Sequence, residues 1–96
     1  MSLPKILAQH STITVEGETV DIRSLTRAEV AKIRKMAADG ATLDELEMVV
    51  LQYGTDTPKE DVVAWYETTP SHAVDPIITA IRELSRVDEE EAQKSG

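Results

Sequence analysis

Residues 25–60 read LTRAEVAKIRKMAADGATLDELEMVVLQYGTDTPKE, and the repeated punctuation of this stretch decides the fold. Thr26 is followed three positions later by Glu29, Thr42 by Glu45 and Thr57 by Glu60. In a capping box the threonine hydroxyl accepts from the backbone N–H three residues on. The glutamate carboxylate reaches back to the threonine N–H, so two otherwise orphaned donors are satisfied at a helix start. Three such pairs predict three helix starts. Leu25 and Val30 hold the hydrophobic-staple positions around the first.

The apolar residues between these starts assign each helix a face. The first is expected to bury Val30, Ile33, Met36 and Ala37 and to stop at Asp39-Gly40, where glycine can take the left-handed conformation. The second carries Leu43, Leu46, Val49, Val50 and Tyr53 and ends at Gly54. In the third, Pro58 falls at the first helical position, where its missing N–H costs nothing. Its apolar residues are Val62, Val63, Trp65 and Tyr66, and Trp65 is expected to be largely buried.

A fourth helix follows with a stripe of Val74, Ile77, Ile78, Ile81 and Leu84. Because Pro76 would clash inside it, a short turn at 70–74 and a main helix at 76–86 are expected.

Upstream the period changes from helical to two. Ile13 and Val15 alternate with threonines, Val20 and Ile22 alternate with polar residues, and Glu16-Gly17 lies between, which predicts a β-hairpin over 11–23. A lone hairpin is unstable in water, so its apolar face must cover a helix or meet another chain. The expected fold is therefore mostly α: a short N-terminal β-hairpin followed by about four helices in a small bundle. Residues 1–10 read as a flexible arm, 11–87 as a single helical domain with the hairpin at its start, and 88–96 as an acidic tail.

Composition bounds the function. The chain has 96 residues, 10 Lys and Arg against 18 Asp and Glu, and a formal charge of −8. That charge repels nucleic-acid phosphates and anionic membranes. One Trp, two Tyr and no Phe leave little for stacking on bases. With no Cys there is no thiolate chemistry and no Cys-based zinc site. No apolar run has signal-peptide or membrane-spanning length, which points to a cytoplasmic protein.

His10 and His72 stand far apart in sequence without a Ser or a second ligand at a diagnostic spacing. The acidic run Asp88–Glu91 lacks the alternating ligands and turn Gly of a calcium loop. Its glycines stand alone, so no phosphate loop exists. No catalytic, metal or cofactor site is therefore expected.

A helix-turn-helix reading is weakened by spacing and charge. Gly54 lies too far from Glu45, and the candidate recognition helix, 58–67, sets Lys59 against Glu60, Asp61 and Glu67. Arg27, Lys32, Arg34 and Lys35 gather on the first helix, where a solvated face is the simpler account.

One feature favours protein binding. Met48 and Leu51 project from nearly the opposite side of the second helix to Leu43, Leu46, Val50 and Tyr53. Either that helix is buried on two sides or these residues face a partner. Hairpin edges can be extended by another chain. The partner surface is thus expected at Met48 and Leu51, with Ile13 and Val15 of the hairpin.

The chain resembles the tail assembly chaperones of long-tailed bacteriophages. The resemblance runs from about residue 13 to the carboxyl end. It lies in Val20-Asp21-Ile22-Arg23-Ser24-Leu25-Thr26 with Arg27-Ala28-Glu29, in Thr57-Pro58-Lys59-Glu60-Asp61-Val62 before Trp65, and in Ile77-Ile78-Thr79-Ala80-Ile81-Arg82-Glu83-Leu84-Ser85 with the charged tail after it.

The resemblance implies a protein that coats the long, aggregation-prone tape measure protein, helps the tail tube protein polymerise around it, and works in the cytoplasm of the bacterial host without catalysis. Self-association, client binding or both are expected through the second helix and the hairpin. The alternatives are a helical DNA-binding module and a structural tail subunit.

Overall fold

The computed structural model describes residues 3, 4 and 6–85. The acidic tail expected at 88–96 lies outside them. Two strands come first, β1 (His10–Val15) and β2 (Glu18–Arg23), joined by Glu16 and Gly17. Both turn residues have positive φ, 52° and 78°. That is the two-residue turn whose twist matches paired strands, and it favours Gly at its second position. Ile13 lies opposite Val20 and Ser11 opposite Ile22. Ile22 is buried, and Ile13, Val15 and Val20 pack against the core beside it. The opposite face, Thr12, Thr14, Thr19 and Asp21, is exposed.

Four helices follow: α1 (Arg27–Ala38), α2 (Leu43–Gly54), α3 (Lys59–Thr68) and α4 (Ser71–Ser85). The hairpin covers α4 and the end of α2, α1 and α3 pack on α2, and α2 and α4 cross at the centre. The mostly helical fold with an N-terminal hairpin is as expected.

Two of the three capping boxes form. The Glu29 N–H donates to Thr26 Oγ1 at 3.2 Å, and the Thr26 N–H donates to Glu29 Oε1 at 2.9 Å. Thr42 and Glu45 repeat this at 3.2 and 3.0 Å. The third does not form. Pro58 rather than Thr57 is the N-cap of α3, with no side-chain bond, and its carbonyl accepts from the Asp61 and Val62 N–H groups. The Thr57 hydroxyl instead lies 2.7 Å from that of Thr55.

The ends of α1 and α2 share a backbone pattern. After α1 the Ala41 N–H donates to the Met36 carbonyl and Gly40 to Ala37, with Gly40 at φ 96°. After α2 the Thr57 N–H donates to Gln52 and Asp56 to Tyr53, and Asp56 takes φ 52°. α2 thus ends at Gly54 as expected, and the left-handed residue that follows is Asp56. Gly54 has a different reason to be glycine, its packing against α4.

α4 departs from expectation. It runs unbroken from Ser71 to Ser85 with Pro76 inside. A helical proline costs about 3 kcal/mol. Against that, Ala73, Val74, Ile77, Ile78 and Ile81 are all buried along one side. Burying even two aliphatic side chains contributes about 3–6 kcal/mol. Pro76 itself faces solvent, so packing wins and the helix continues. Ser85 ends it usefully: its hydroxyl donates to the Ile81 carbonyl at 2.7 Å and accepts from the Leu25 N–H at 2.8 Å.

Arg23 fastens three segments at one point. Its guanidinium pairs bidentately with Glu29, at 2.9 and 2.8 Å, and its Nε donates to Asp56 Oδ1 at 2.9 Å. The hairpin, α1 and the α2–α3 loop are thereby tied together. Hydrogen bonding from Arg23 is the largest cause holding the Glu29 carboxyl down to about 2, against partial burial, which would raise it. The unfolded chain therefore takes up this proton first, so acid favours unfolding. Stability from this pair is complete above the ordinary carboxyl value of 4.5 and is lost as pH falls from there towards 2. The expected loss is about 2 kcal/mol. Urea unfolding across that range should show it, with a shallower loss in Glu29→Gln.

Candidate protein-docking surface

Among the described residues, two apolar grooves on the surface stand out. The first lies between α1, α2 and α4 and encloses about 290 Å³. Val30, Ile33 and Ala37 of α1 form one wall, Leu43, Leu46 and Val50 of α2 the other, and Ile78 of α4 the floor. It exists because α1 is shallowly seated. Of its expected buried face only Val30 is buried; Ile33 and Met36 are half-buried and Ala37 is exposed. Leu43 is 69% exposed at one end of this groove. Glu47, Arg34 and Arg82 are its charged lining.

The second groove, of about 260 Å³, lies between β2, α2, α3 and α4. Val20, Leu51, Val62 and Ile77 line it, with Thr55, Thr57 and Asp61 at its polar edge. Trp65 also lines it and is 39% exposed, which corrects the expectation of a largely buried tryptophan. Of α3 only Val62 is fully buried, with Val63 and Tyr66 half-buried, and the tryptophan is left at the rim. Trp65→Ala should therefore cost only about 1–2 kcal/mol, below the 3–5 typical of a core tryptophan. Thermal melting checks the cost, and an emission maximum between the buried and fully hydrated limits checks the placement.

Tyr66 crosslinks α3 to α2. Its hydroxyl is bonded to Glu47 and lies 3.2 Å from Asp44 Oδ1. The Glu47 carboxylate, accepting its proton, pushes the phenol above its ordinary range.

The four residues expected to face a partner do not form one surface. Leu51 is 3% exposed and belongs to the core. α2 is covered on two sides, by α3 and by α4 with the hairpin, which is the intramolecular alternative left open above. Met48 is partly buried against the same core, and Ile13 and Val15 point inward onto it. Among the described residues the exposed large apolar side chains are others: Leu43, Trp65 and, ahead of the hairpin, Leu3, Ile6 and Leu7. Leu43 was assigned to the core stripe by period alone. The buried residues of α2 are Val50, Leu51 and Gly54, and Leu43 lies about two turns before them, at the open groove beside α1.

Among the described residues no three His, Cys, Asp or Glu side chains are placed to hold a metal. His72 Nε2 lies 2.6 Å from Glu16 Oε1 on the exposed surface. No described helix is long and apolar enough to cross a membrane.

The basic face of α1 is partly engaged within the chain. Lys35 Nζ lies 3.3 Å from Asp39, and Lys32 Nζ is 5.8 Å from the centre of the Tyr53 ring. With α3 acidic in its first turn, a gel shift at physiological salt should show no sequence-selective binding of duplex DNA.

No protein-family model, curated protein or solved structure matches this chain.

Proposed function

We propose that this chain is a phage tail assembly chaperone, acting in the cytoplasm of the bacterial host, that binds an apolar segment of the tape measure protein in the groove between α1, α2 and α4. The observation that carries the proposal is Leu43, 69% exposed beside an apolar groove on a chain of charge −8. An amphipathic client helix needs such a groove for its apolar face. An acidic carrier stays soluble beside an aggregation-prone client. The resemblance to the chaperones supplies the client's identity.

The test is co-expression with a tape measure protein. The expected result is a soluble complex that Leu43→Glu weakens about tenfold or more, with unchanged melting, because an exposed contact residue is altered. Equal capture by the variant would place the client elsewhere. Sub-micromolar duplex binding would instead favour the DNA-binding module, and recovery of the protein from finished tails would favour a structural subunit.

A further inference from the structure

Ahead of the hairpin the chain carries an apolar segment that its own fold leaves uncovered. Leu3, Ile6 and Leu7 are 90%, 84% and 78% exposed. The segment has a fixed root. The Gln9 N–H donates to Ser24 Oγ at 2.9 Å, and the Gln9 carbonyl accepts from the Ser24 N–H at 2.8 Å. Residues 3, 4 and 6–9 belong to no helix or strand. Fully extended, the stretch 3–8 spans about 20 Å. Its one charged residue is Lys5.

The same chain carries two unfilled apolar grooves, and charge distinguishes them. The groove between α1, α2 and α4 is lined by Arg34 and Arg82 as well as Glu47. The groove beneath Trp65 has Asp61 as its charged lining residue. A segment bearing Lys5 suits the second. Its volume of about 260 Å³ is ample for aliphatic side chains, since about 150 Å³ of apolar space accepts a benzene ring.

We infer that the segment 3–8 of one copy docks in the Trp65 groove of a second copy, with its aliphatic side chains against the accessible surface of Trp65 and Val20 and its positive charge matched to Asp61. One chain supplies both an uncovered segment and an unfilled groove, so a two-fold exchange satisfies two of each at once. This occupies neither Leu43 nor the groove proposed for the client, so it stands independently of the chaperone reading.

Sedimentation of the full chain over a wide concentration range, with Trp65 emission recorded in parallel, tests this. The wild type should form dimers whose Trp65 emission shifts to the blue as they form. The triple variant Leu3→Ser, Ile6→Ser, Leu7→Ser should associate at least about a hundredfold more weakly, with unchanged melting because these residues contact no core. Asp61→Lys should weaken association and Lys5→Asp should restore it in the same chain.

Equal sedimentation of wild type and triple variant would overturn the inference. So would a monomeric wild type whose Trp65 emission reddens in the triple variant at every concentration, because the segment would then fill its own groove.

Discussion

Gly54→Val should unfold the domain or come close to it. A Cβ at Gly54 would sit 2.4 Å from Ile81 Cδ1, 2.7 Å from Cγ2 and 2.8 Å from Cγ1. No relief is available by rotating Ile81, which is 0% exposed at the crossing of α2 and α4. Even Gly54→Ala must move one helix. Its gain in helix propensity, about 1 kcal/mol, is set against overpacking of about 1–3 kcal/mol. The net effect is destabilising. Valine adds two further methyl groups at the same point, and a loss of about 3 kcal/mol or more is expected.

The cause can be isolated by shortening the partner. Gly54→Ala combined with Ile81→Ala should cost less than the sum of the two single changes by about 1–2 kcal/mol. Urea unfolding of the four proteins measures this. A neutral or stabilising Gly54→Ala would show that the helices do not approach at this position.

The second large effect is at Leu51. Leu51→Glu should lower stability by about 4 kcal/mol or more, from lost packing together with an unpaired carboxyl in the core. For a domain whose total is about 5–10 kcal/mol, that removes roughly half of the stability or more. Met48→Glu should cost about 1–2 kcal/mol, since Met48 is only partly buried. Thermal melting of each single variant separates the two residues. If Leu51→Glu melted like the wild type, that side of α2 would face outward after all, and the partner surface would return to Met48 and Leu51.

These two positions show what local grammar could and could not reveal. Thr26, Thr42 and Gly40 were readable because a cap is decided by residues within one turn of each other. So was the hairpin, whose Glu16-Gly17 turn and alternating Ile13, Val15, Val20 and Ile22 are local patterns. Thr57 was misread because Pro58 displaced the cap by one residue and the Thr55 hydroxyl engaged Thr57.

Pro76 was misread because a local rule opens the helix at that proline, whereas the outcome depends on what α4 packs against. The end of α2 at Gly54 was legible, but the contact with Ile81 that requires glycine there was not. Periodicity likewise assigned a face to α2 without knowing how many neighbours would cover it. That is why Leu51 was read as outward, Leu43 as inward and Trp65 as buried. The groove between α1, α2 and α4 was not legible at all, because it arises from the shallow seating of α1, a property of three helices together.

The claim that this domain works by holding an apolar client segment against α1 and α2 is tested most directly by amide hydrogen exchange. The full chain would be measured alone and with an amphipathic helical segment of the tape measure protein. Exchange should slow over Val30–Ala37 and Leu43–Val50, the walls of the Leu43 groove, and remain unchanged on the outer hairpin face at Thr12, Thr14 and Thr19. Binding without slowing at those walls, or slowing confined to the hairpin, would contradict it.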